Sequence, residues 1–152
     1  MRRASVAWAA AVAAVLMTAG PATAEQGGGG VDHGMPGTGQ ILPHPGPDGL
    51  IWIPDWIGNG GAVTGGGSAS GPPATVTVGC QGGSGGAGEV HVLFRSEYGG
   101  PTPVEFTVAC PADSIGIGSV VVPGEQSRNF YVGVTTSAPD VHWGLAVTQP
   151  DA

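Results

Sequence analysis

Lysine is absent from the 152 residues, and only four arginines stand against 11 acidic residues. Charged residues make up 10% of the chain, against roughly 25% in an average soluble protein. A chain so short of positive charge has no basic face for nucleic acid or anionic lipid. It also lacks the Glu/Lys content of a coiled coil. No C-x-x-C or H-x-x-x-H spacing occurs, so the usual zinc patterns are missing. Beyond residue 24 no apolar run approaches the ~20 residues that span a bilayer. The 30 glycines and 14 prolines follow no three-residue period, which excludes collagen. The length leaves room for one small domain and not for a large α/β enzyme.

What is present begins with an export signal. Arg2 and Arg3 form a positive start, Ala4 to Ala19 is apolar apart from Ser5 and Thr18, and Gly20-Pro21 breaks the helix. Ala22-Thr23-Ala24 then supplies the small-x-small pattern of signal peptidase sites. Cleavage is expected after Ala24. An uncleaved anchor would need a longer apolar stretch. The processed chain keeps Arg95 and Arg128 against all 11 acidic residues, so no membrane contact is expected after cleavage. Cys80 and Cys110 remain. In an exported chain an even pair points to one disulfide, two free thiols being the alternative. Closing a loop of that length contributes about 3.5 kcal/mol in the chain-entropy model.

The remainder divides by composition. Residues 25–73 hold 16 glycines, 7 prolines and no arginine or lysine. They are expected to form a disordered arm, because such a segment buries too little apolar surface to offset its ordering entropy. One island, Leu50-Ile51-Trp52-Ile53-Pro54-Asp55-Trp56-Ile57, breaks the pattern. Either it folds back as an extra edge segment of the following domain, or it is a docking peptide anchored by Trp52 and Trp56. Pro54 argues against a long helix or a central strand.

Residues 74–149 read as strands, with 150–152 as a tail. Apolar residues alternate over Ala74–Cys80, Glu89–Ser96, Pro103–Cys110, Ser127–Val134 and Val141–Gln149, and Ser119–Val122 is a short apolar run. Gly- and Pro-rich turns separate them. The fold class is therefore all-β, a small antiparallel sandwich of about six strands. Cys80 shares parity with Val76 and Val78, and Cys110 with Val104, Phe106 and Val108, so both thiols point to the core. Trp143 falls on the inward face of the last strand. The domain resembles an immunoglobulin-like sandwich in architecture, although the order Cys, Cys, Trp differs from the immunoglobulin order.

The Ala-rich signal, the Gly/Pro arm and the stretch Ser137-Ala138-Pro139-Asp140-Val141-His142-Trp143 together resemble short exported proteins of actinobacteria such as streptomycetes. That resemblance implies export and brings no catalytic residues.

Catalytic patterns are formal only. Gly82-Gly83-Ser84-Gly85-Gly86 matches G-x-S-x-G, but the next residues lead into a strand where a nucleophile elbow needs a helix. Gly83, Gly85 and Gly88 match G-x-G-x-x-G with the same defect. His91 and His142 would share a metal with Glu89 only if their strands were neighbours. Glu89, Glu97, Glu105 and Glu125 are scattered, without the cleft a glycosidase pair requires. The aromatic candidates for recognition are Trp52, Trp56 and Tyr98. The expectation is a secreted, non-catalytic binding protein that needs no cofactor and no metal. Its partner would be an extracellular protein or a cell-wall component. The alternative is a structural protein that self-associates through its edge strands. A metal protein or hydrolytic enzyme fits the residues least.

Overall fold

Alternating valines in a chain with few charged residues leave one economical arrangement, two sheets facing each other across their apolar sides. The computed structural model describes residues 34–68, 70–97 and 102–150. The expected signal segment, the Gly27–Gly30 run, Tyr98 and residues 151–152 lie outside these. The strands are β1 (Met35–Pro36), β2 (Gly49–Ile57), β3 (Gly60–Thr64), β4 (Ala74–Gln81), β5 (Gly88–Ser96), β6 (Val104–Cys110), β7 (Gly116–Val122), β8 (Phe130–Thr136) and β9 (His142–Thr148). A 3-10 turn, Gly124–Gln126, joins β7 to β8. One antiparallel sheet runs β1-β2-β9-β4-β7 and the other β3-β8-β5-β6.

The sandwich expected from the sequence is thus present, and β4 to β9 fall on the six segments read from alternation. Their inward residues form the core: Val76 and Val78 from β4, Val90, Val92 and Phe94 from β5, Phe130 and Val132 from β8, and Trp143, Leu145 and Val147 from β9, all fully buried. Phe94 and Phe130 meet with ring centres 4.9 Å apart. Cys80 on β4 and Cys110 on β6 form a disulfide, so the bridge ties one sheet to the other. Cys80 lies directly opposite Trp143 in the β4–β9 register, which puts the indole beside the bridge.

Among the described residues there are nine strands, not about six, because residues 34–64 are not a disordered arm. The island 50–57 lies within β2, which pairs along β9 from Gly49 opposite Thr148 to Ile57 opposite His142. This segment does not have to bury its apolar surface within itself, because Leu50, Ile51, Ile53 and Trp56 pack on a core supplied by the later strands. Pro54 is accommodated by an irregularity in the β2–β9 pairing between Ile53 and Trp56. Glycine here serves close approach. A Cβ on Gly60 would sit 2.6 Å from Trp56 Nε1 and 2.9 Å from the Trp143 ring.

The same holds on the outer face of the five-stranded sheet. Gly79 on β4 and Gly144 on β9 are cross-strand partners, leaving a shelf without side chains. Ile41 and Leu42 lie on that shelf, and Leu42 is buried. The Ile41 N–H donates to Pro54 O (2.7 Å) and the Gly37 N–H to Asp55 O (3.0 Å). The middle of this sheet is therefore covered on both faces. Among the described residues no helix is long and apolar enough to cross a membrane.

Candidate functional site

Polar side chains gather at one end of the five-stranded sheet, where β2 and β9 meet the Gly82–Gly86 turn. Asp55 is carried into the interior by the irregular stretch after Pro54, and its residue is 4% exposed. Its carboxylate accepts the Gly39 N–H at 2.8 Å on Oδ2 and lies 3.0 Å from His142 Nδ1 on Oδ1. Facing a carboxylate, which only accepts, Nδ1 carries the hydrogen. The imidazole is thereby fixed at the mouth of a shallow depression lined by Gln81, Gly82, Gly83, Ser84, Asp140 and His142.

Asp140 holds the opposite side of this depression. Its Oδ2 accepts the Ser84 N–H (2.7 Å) and the Ser84 hydroxyl (2.5 Å). The Ser84 hydroxyl, then the Ser84 N–H, hold the carboxyl below the ordinary aspartate value of 3.8. Gly83 passes so close to this carboxylate that any side chain there would overlap it. The Ser84 hydroxyl donates to the Asp140 carboxylate and not to an imidazole, so no Ser–His pair is formed here. The turn closes with the Gly86 N–H donating to Gly83 O (3.0 Å) and leads into β5, with no helix after it. The G-x-S-x-G and G-x-G-x-x-G matches are a hairpin loop pinned by Asp140.

A pH dependence follows from this tether. A carboxyl depressed in the folded chain stabilises it above the ordinary value and loses that contribution as pH falls through the depressed value. We expect the Ser84 amide to stay protected at pH 3.8 and to open only at more acid pH, with Asp140→Asn removing the transition. Nuclear magnetic resonance of the Asp140 carboxyl carbon and the Ser84 amide checks this. A midpoint at or above the ordinary value would contradict it.

The remaining candidates are placed as follows. His91 is on β5 and His142 on β9, in different sheets, so the joint metal site with Glu89 does not form. His91 instead lies 3.4 Å from Glu105 of β6, on the exposed side of its sheet. Among the described residues no three His, Cys, Asp or Glu side chains are grouped to hold a metal. Trp52 is 37% exposed, its Nε1 donates to Leu42 O (3.3 Å), and its ring meets the His44 ring edge-on at 4.7 Å. Trp56 donates Nε1 to Asn59 O (3.1 Å) and packs on Trp143 at 6.3 Å. Both tryptophans are engaged inside the fold rather than displayed on a free peptide.

Three polar residues were not singled out from sequence. Asp55 was only part of the island. Asn59 accepts the Thr136 N–H (2.8 Å) with Oδ1, and its Gly58-Asn59-Gly60 setting did carry a turn signal. Gln149 Nε2 shares its two hydrogens among Ser68 O, Pro72 O and Ser127 Oγ, its Oε1 accepts the Ser68 N–H, and nothing in sequence marks such a plug.

The other exposed feature is apolar. Each sheet has two edges, and two of the four carry a guard against strand addition. β1 is two residues long and contains Pro36, and β6 carries Glu105, whereas β3, with five residues and Val63 exposed, is a shorter uncharged edge. β7, Gly-Ile-Gly-Ser-Val-Val-Val, has seven residues, no charge and no proline. Ile117 and Val121 on it are 64% and 63% exposed, with Ile115 just before it. Among the described residues its backbone makes no bond outside the β4 ladder. No protein-family model, no curated protein and no solved structure matches this chain.

Proposed function

We propose that this chain is an exported, non-catalytic interaction domain that binds through the free edge of β7. The observation that carries the reading is the unguarded β7 edge, with Ile117 and Val121 in solvent. Natural sheets blunt such edges unless they are used, and an edge strand recognises an extended partner through backbone bonds with side-chain pockets adding selectivity. Export is supported by the Ala22-Thr23-Ala24 signal pattern, by the disulfide, which persists outside reducing compartments, and by the resemblance to short exported actinobacterial proteins. The bridge between sheets with Trp143 beside it supports an immunoglobulin-like architecture. The partner is an extracellular protein or a cell-wall component, and the acidic surface argues against nucleic acid.

The test is retention of the tagged chain on washed envelopes of the producing organism. Val121→Lys places a charge on the exposed face of the edge without touching the core. We expect the unaltered chain to be retained and Val121→Lys to be lost at least about tenfold, a change of ~1.4 kcal/mol. Equal retention would move the binding surface elsewhere, and no retention of either would remove the envelope as its place of action.

A further inference from the structure

We infer that the occupant of the β7 edge is a second copy of this chain, the two β7 strands pairing antiparallel about a two-fold axis through Ser119. This rests on the reading of β7 as the binding edge and adds the partner's identity. An isologous contact must be self-complementary, residue by residue. In β7 that condition is met. With Ser119 opposite Ser119 of the second copy, Ile117 faces Val121 and Val121 faces Ile117 on the outer side. Those are β-branched pairs, favourable across strands. On the inner side Gly118 faces Val120 and Gly116 faces Val122, so each small residue meets a larger one.

Charge supports the same partner. The chain carries a net charge of −7, and two copies would repel over most of their surfaces. β7 contains none of that charge. The outward residues of its neighbour β4 opposite Ser119 and Val121 are Thr77 and Thr75. The pairing would therefore bring together the uncharged parts of two acidic molecules. It would extend the sheet from five strands to ten, with Ile117 and Val121 of both copies forming one covered apolar strip.

Sedimentation equilibrium and thiol cross-linking of the chain, expressed with its own leader and purified after export, test the proposal. The unaltered chain should pass from monomer to dimer with rising concentration. Ser119→Lys sets two like charges directly opposite and should weaken dimerisation at least tenfold without changing the melting temperature. Ser119→Cys should give a disulfide-linked dimer joined between the two introduced thiols, as peptide mapping would show. Ile117→Cys should not, because in this register its two copies lie about 13 Å apart along the strands. A monomer at every concentration, or cross-linking through Ile117→Cys and not Ser119→Cys, would overturn the two-fold pairing. If the chain stays monomeric while Val121→Lys still abolishes envelope retention, the edge is a binding site for a different partner. If Val121→Lys affects neither measurement, both readings fall.

Discussion

A chain beginning at Ala74 is expected not to fold. Composition alone makes that the natural domain boundary, yet the cut removes β1, β2 and β3. β9 would lose one of its two neighbours, and Leu50, Ile51, Ile53 and Trp56 would leave the core. Full burial of one such side chain is worth roughly 1.5–3 kcal/mol, and these four are partly buried, so together they still weigh heavily against a typical total stability of about 5–15 kcal/mol. Polar losses add to this. The buried Trp143 Nε1 donates to Gly58 O at 2.7 Å, and without that residue it has no acceptor. Gln149 loses Ser68 and Pro72. We expect residues 25–152 to melt cooperatively and residues 74–152 to show no cooperative transition and no near-ultraviolet circular dichroism. A cooperative melt of the shorter chain within a few degrees of the longer one would show that β2 is an accessory.

Removing the Cys80–Cys110 bridge is the second large effect. The two cysteines are 30 residues apart in sequence and lie on different sheets, so the bond limits how far the unfolded chain can spread. Replacing both by alanine should cost about 2–5 kcal/mol. For a domain of this size that lowers the melting temperature by on the order of 10–20 °C. Reductant should act slowly on the folded protein, because both cysteines are buried, at 0% and 1% exposure, and reduction must wait for an opening event. Unchanged melting of the double alanine variant would mean that packing around Trp143 alone holds the sheets together.

The strands that alternate cleanly were legible in the sequence. Val76, Val78 and Cys80 announce a face, as do Val90, Val92 and Phe94, because a half-buried strand must repeat every second residue. The disulfide was legible from parity and compartment. The folding back of the apolar island 50–57 onto the domain was legible too, although β2 lies between β1 and β9 and not at the edge. β1, β3 and the ordered course of residues 34–49 were not, and the reason is physical. Their glycines lie where neighbouring backbone or rings leave no room for a side chain, as at Gly60 beside Trp56 and Trp143. In sequence, a glycine selected for close packing looks the same as one in a flexible linker. The cluster of Asp55, His142, Asp140 and Ser84 was illegible for another reason. It joins a bulge, a strand end and two turns far apart in the chain, and no spacing rule connects them. Trp52 and Trp56 bond and pack within their own chain, while Trp52 keeps 37% of its surface exposed.

The placement of β9 has a consequence for the order of assembly. It lies between β2 and β4, yet it is the last of the nine strands among the described residues. During synthesis β2 emerges early and waits for a partner more than 80 residues downstream, as the Trp56–Trp143 pairing measures. The first sheet therefore closes only after residues 142–148 have been made, and that late, long-range step completes the pairing of β2.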